Sequence, residues 1–155
     1  MTVDERDPRL AALDVFVGEW IAQVEVPGAP PGRSTFEWDL RGTVLVERAL
    51  SPLPEFPDGL MIIKPTSDGY RQHYFDSRGV TRIYWMTLTD RTWTLVRTEP
   101  DFTPLEFSQR YVGEIAEDGN RIEGSWETSD DGGQSWQTDF PLSYTRVGSD
   151  PATSS

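Results

Sequence analysis

The sequence predicts an all-β protein, an antiparallel up-and-down barrel of about ten strands behind one short N-terminal helix. Three observations carry that expectation. Apolar residues recur with period two in ten separate segments. Clusters of Asp, Ser, Asn and Gly that tolerate positive φ separate many of them. Only one segment has helical periodicity, so no second helix is available to cover an open sheet, and closure removes the exposed edges. A β-sandwich is the alternative architecture.

The helix comes first. Asp7 is placed to cap it, and Pro8 falls where a missing N–H costs nothing. Leu10, Leu13, Phe16 and Val17 then share a helical face before Gly18 ends it. In 20–26, Trp20, Ala22, Val24 and Val26 alternate with polar residues, and 34–40 repeats the pattern with Phe36, Trp38 and Leu40 inward. Segments 44–50, 60–64, 70–75, 80–88, 92–97, 107–115 and 121–128 follow as strands. The last strand carries Trp136, Phe140, Leu142 and Tyr144 on one side. Two proline-stiffened loops, 26–33 and 51–59, either tuck Leu53 and Phe56 onto the rim or form a lid over a barrel mouth. Residues 7–147 therefore make one domain, with 1–6 and 148–155 expected to be disordered tails.

Composition narrows function by exclusion. The chain of 155 residues has no cysteine, so thiolate ligands, cysteine nucleophiles and disulfides are unavailable. A net charge of −12 lacks the basic face that nucleic acid requires, and an anionic membrane would repel it. The opening MTVDERDPRL has no apolar core, which predicts no signal peptide and a cytoplasmic location. One histidine among dispersed acids predicts no metal site. No phosphate-binding loop, dinucleotide fingerprint or nucleophile elbow is present.

Ser129, Asp131, Gly133 and Trp136 spell S-x-D-x-G-x-x-W, the Asp-box of sialidases. In that motif the aspartate accepts backbone N–H groups of a turn and the tryptophan packs beneath. One copy lying between two strands reads as a hairpin staple rather than as part of a propeller enzyme.

The helix running into Gly18-Glu19-Trp20 resembles the calycin superfamily of lipocalin-like barrels. The strand count, together with Tyr74-Phe75-Asp76-Ser77 and Gly124-Ser125-Trp126-Glu127, is similar to nitrobindin-like barrels and bacterial lipocalin-like domains of uncharacterised role. The resemblance implies that Trp20 closes one barrel end with a basic residue near the last strand across it, for which Arg146 has the parity of Trp136 and Tyr144. Nitrobindins bind haem behind G-x-W-x-G-x-G with an axial histidine in the C-terminal part. Here both later glycines are absent and the only histidine, His73, is mid-chain, so no cofactor is expected.

Candidate site residues come from hairpin register. A two-residue turn at 76–79 would set His73 opposite Arg82, placing His73, Phe75, Arg82 and Tyr84 on one face. A slip of one residue regroups them. On 44–50 the buried face carries either Arg48 or Glu47. Either face of the 70–75 and 80–88 hairpin could be the lumen, while Trp38, Trp93, Tyr111 and Trp126 are expected to point inward. The leading expectation is a barrel binding a small, largely apolar molecule, with an acidic head group as one option, through Trp38, Arg48, His73, Phe75, Arg82, Tyr84, Tyr111 and Trp126. A small proton-transfer enzyme, cyclase or isomerase, using His73, Arg82 and Tyr84 is the second reading. A filled barrel with a structural or interaction role is the third, and a homodimer is an option under any of them.

Overall fold

The computed structural model describes residues 7–101 and 104–148, so most of both predicted tails lies outside it. Ten antiparallel strands close on themselves in chain order, and β1 completes the ring by pairing with β10. They are β1 (Gly18–Val24), β2 (Gly32–Asp39), β3 (Val44–Leu50), β4 (Gly59–Thr66) and β5 (Gly69–Asp76). The second half comprises β6 (Thr81–Thr89), β7 (Thr92–Arg97), β8 (Ser108–Ile115), β9 (Arg121–Ser129) and β10 (Gln137–Arg146). The sandwich alternative is thereby excluded.

Sequence sets the one helix and its end. Asp7 Oδ1 accepts the Arg9 amide at 2.9 Å and Pro8 opens α1 (Pro8–Ala12), which tightens into a 3₁₀ turn at Leu13–Phe16. Leu13 and Phe16, the apolar stripe, are fully buried against the barrel's lower end. The Phe16 ring stacks on Phe36 and tilts against Trp93, with centroids 5.4 and 4.8 Å away.

Trp20 closes that end. Its indole is buried and donates to the Phe16 carbonyl at 2.8 Å, while the Arg146 guanidinium sits 4.2 Å above the ring. Arg146 also donates to the carbonyls of Val17, Val15 and Gly119 at 2.5, 2.6 and 3.1 Å. Gly18 makes room for it: φ is +129°, and a β-carbon there would lie 2.6 Å from Arg146 Nη1. The parity assigned to Trp136 is lost at a register shift between Thr138 and Phe140. Trp136 instead packs outside under Arg110, 4.3 Å from the ring centroid.

Two further expectations are corrected. Leu40 is exposed, because β2 ends at Asp39 and Leu40 and Arg41 take left-handed φ in the turn to β3. The β5–β6 hairpin pairs Tyr74 with Arg82 and His73 with Ile83, one residue away from the two-residue register. Gly79 supplies the single positive φ, +84°, and donates to the Asp76 carbonyl, while the Asp76 amide donates to Val80. That is a three-residue loop with glycine in the left-handed position. A two-residue turn would have forced Ser77 and Arg78 into positive φ instead.

Candidate functional site

Alternation carries Tyr70, Gln72, Tyr74, Arg82, Tyr84 and Met86 to the inner face of β5 and β6. His73 and Phe75 go to the outer face, where His73 lies between Ile62 and Ile83 on its flanking strands. The structure therefore does not bring His73 together with Arg82 and Tyr84, and the proton-transfer set does not converge. On β3 the buried face is Leu45, Glu47 and Ala49, so Arg48 is exposed and Glu47 is the interior charge.

The inward aromatic residues divide between two roles. Tyr84, Tyr111, Trp93, Trp126 and Tyr144 form a chain of edge-to-face and tilted ring contacts across the interior, with neighbouring centroids 5.2–5.8 Å apart. Tyr111 donates to the Leu142 carbonyl at 3.0 Å and Tyr84 to Gln109 at 3.1 Å, which holds both as packing residues. Trp38 sits at the closed end and donates to Asp14 at 3.0 Å. Of the eight predicted ligand contacts, Trp126 alone lines the cavity described next.

That cavity has a volume of about 300 Å³ and occupies the upper half of the barrel on the β1–β5 side. Its wall is apolar: Ala22, Val24, Met61, Leu95 and Leu142, with the rings of Trp93 and Trp126. Both proline-stiffened loops reach it, contributing Ala29 and Pro30 from the first and Pro52, Phe56 and Pro57 from the second. The second loop is tied down by Asp58, which accepts the Ser51 amide at 2.8 Å. Across the mouth, Arg97 and Asp101 form a buried bidentate pair, and Asp101 also accepts the Ile83 amide at 2.8 Å. That side is filled; the β1–β5 side is not.

Few polar atoms face the cavity. Glu47 is 2% exposed, and its one hydrogen bond among the described residues comes from Ser34 Oγ at 2.9 Å. Burial pushes its carboxyl up to about 7, against a smaller downward pull from the Ser34 hydroxyl. Burial also raises the Tyr111 and Tyr144 phenols, and the nearby Glu47 charge adds to both shifts. Gln72 Oε1 and Trp93 Nε1 are buried without a hydrogen-bond partner among the described residues. Orphaned polar atoms of this kind are rare in native interiors and call for an explanation.

The lining tests the haem that the resemblance brings to mind. His73 lies on the outer face, and the iron-ligating types left on the wall are Met61 and the tyrosines Tyr74 and Tyr144, whose phenols burial holds in the neutral form. The residues present do not fit that group. Among the described residues no three His, Asp or Glu side chains gather as a metal site.

No protein-family model matches the chain, and no curated protein matches it. Among solved structures it is similar to Rv2717c from M. tuberculosis. That likeness has a TM-score of 0.56 at 16% identity and spans 90% of this chain and 98% of the other. It concerns the fold: this chain is a ten-stranded antiparallel β-barrel. Within the described residues no helix is long and apolar enough to cross a membrane.

Proposed function

We propose that this chain is a lipocalin-like binding protein, nitrobindin-like in its barrel, that holds a small, largely apolar molecule in the upper lumen. The observation that carries the reading is the apolar cavity of about 300 Å³ beneath two proline-stiffened loops. Its size lies at the lower bound for small-molecule sites, and an apolar wall with a few convergent polar groups is their usual character. At roughly 30 Å³ per water-sized group, it holds about ten non-hydrogen atoms. The net charge of −12 favours a soluble carrier whose partner is a small molecule rather than nucleic acid or an anionic membrane.

Trp93 and Trp126 line the space, so occupancy is readable in their emission. Titration with octanol should give a saturable fluorescence change. Ala49, an inner-face residue of the lining, offers the control: Ala49→Phe fills the cavity and should abolish that change while the protein stays folded. Identical titration curves for the two proteins would refute binding in the lumen.

A further inference from the structure

We propose that Glu47 and Gln72 form an anchor for a cationic head group, so that the ligand is an apolar molecule carrying one basic nitrogen. This inference rests on the lumen-binding reading above and goes on to name the ligand's chemistry.

The argument starts from what the interior lacks. A carboxyl group buried at 2% exposure is ordinarily matched by an internal cation or by several donors. Glu47 has one neutral donor, Ser34, and among the described residues no arginine or lysine pairs with it. The cationic residue on the lining, Arg33, is at the mouth and turned to the exposed Glu19, with which it forms a salt bridge. Gln72 Oε1, on the same wall, is a second acceptor without a donor. Buried acceptors facing an apolar space select a ligand that brings N–H donors.

A positive charge satisfies the site better than a neutral hydroxyl for two further reasons. An ammonium supplies the missing counter-charge where low dielectric makes that charge count most. The rings of Trp93, Trp126, Tyr74 and Phe56 around the cavity also favour a cation over an anion. The net charge of −12 draws cations toward the protein and discourages the acidic head group that the sequence left open.

The titratable groups facing Glu47 leave it in charge of the pH response. Tyr74, Tyr111 and Tyr144 all have raised pKa values and stay neutral through the physiological range. Arg33 is turned to Glu19 at the rim, and Arg82, on the inner face of β6, forms no ion pair with Glu47. Below about pH 7 the Glu47 carboxyl is protonated in the free protein, so an ammonium must displace that proton to bind.

The experiment compares octylamine, octanol and octanoate, probes of one chain length, by tryptophan fluorescence and calorimetry at pH 8. Octylamine should bind at least tenfold more tightly than either of the others. Glu47→Gln should remove that preference, bringing octylamine and octanol affinities to within about twofold of each other. In wild type, octylamine affinity should fall toward tenfold per pH unit on acidification below 7, with uptake of the released proton by buffer visible in calorimetry. This pH profile decides the matter even if the variant fails to fold. Equal affinities, tighter octanoate, or an amine affinity flat between pH 5 and 8 would overturn the anchor but leave lumen binding standing. Failure of all three probes to bind overturns both.

Discussion

The two ends of the barrel treat polar groups in opposite ways. At the closed end the donors of the plug have partners: the Trp20 indole donates to Phe16, the Arg146 guanidinium to three backbone carbonyls, and the Tyr70 hydroxyl to Arg9. Along the cavity lining, Glu47 has one partner, and Gln72 Oε1 and Trp93 Nε1 have none among the described residues. A fold that pairs every donor of its plug has the means to do the same along the cavity. The contrast locates stability at the plug and unspent hydrogen-bonding capacity at the cavity.

The comparison breaks most visibly at the plug. Trp20→Ala removes a fully buried indole, its hydrogen bond and the surface on which Arg146 rests. A loss of about 4 kcal/mol is expected, in the range of large aromatic truncations in cores. Urea denaturation followed by far-UV circular dichroism measures it. A loss below about 1 kcal/mol would show that Trp20 does not anchor the closed end.

At the cavity the sign should reverse. Folding raises the Glu47 carboxyl from its ordinary 4.5 to about 7, so the folded state keeps a proton that the unfolded chain has already lost in that window. Wild-type stability should therefore be fullest near pH 4, as far as this group is concerned, and decline as pH rises until it levels off above about 7. Glu47→Gln removes that decline. At pH 8 the variant should be more stable than wild type by on the order of 3 kcal/mol, with the two converging near pH 4. Denaturation midpoints across pH test this, and a destabilised variant at pH 8 would mean that the carboxylate has partners in the fold.

Much of this architecture is legible in sequence, and the failures have identifiable physics. Strands announce themselves because one face of each is buried, which imposes period two on Trp20, Ala22 and Val24 as on Phe36 and Trp38. Which of two alternating faces is inside depends on connection length, and there the sequence is weaker. Gly79 was the available signal for a three-residue loop in the β5–β6 hairpin, since Ser77 and Arg78 gain nothing from positive φ. With a two-residue turn His73 shares a face with Arg82 and Tyr84; with the three-residue loop it is Gln72 and Tyr74 that join Tyr84. For β3 the choice between Glu47 and Arg48 hangs on a turn in which Leu40 and Arg41 adopt left-handed φ. Neither residue type advertises that conformation. Cavities are harder still, because the space left by Ala22, Ala49 and Gly32 depends on what ten strands fail to fill together.

A smaller effect sharpens the closed end. Arg146→Met keeps much of the side-chain volume over Trp20 but leaves the carbonyls of Val15, Val17 and Gly119 without those donors. A loss of about 2 kcal/mol is expected from the stranded acceptors. Octanol binding in the upper half should be unchanged, which an unfolding curve and a titration on one sample can establish. Reduced octanol affinity at equal folded fraction would mean that the two ends are coupled.

The smallest effect belongs to the β9–β10 hairpin, which shares the cavity's end of the barrel without lining it. Asp131 Oδ1 accepts the amides of Gln134 and Ser135 at 3.0 and 2.9 Å, and its oxygens accept the Ser129 and Ser135 hydroxyls at 2.7 and 2.5 Å. Hydrogen bonds from Ser135 and Ser129 hold its carboxyl below the usual carboxylate range. The stability these bonds give is present above the unfolded aspartate value and is lost as pH falls through the folded one. Asp131→Ala should accelerate amide exchange at Gln134 and Ser135 while barely moving the global unfolding midpoint, since an exposed turn opens locally. If the substitution also weakened octanol binding, the hairpin would have to be counted part of the mouth, and polar satisfaction would no longer mark the border between scaffold and site.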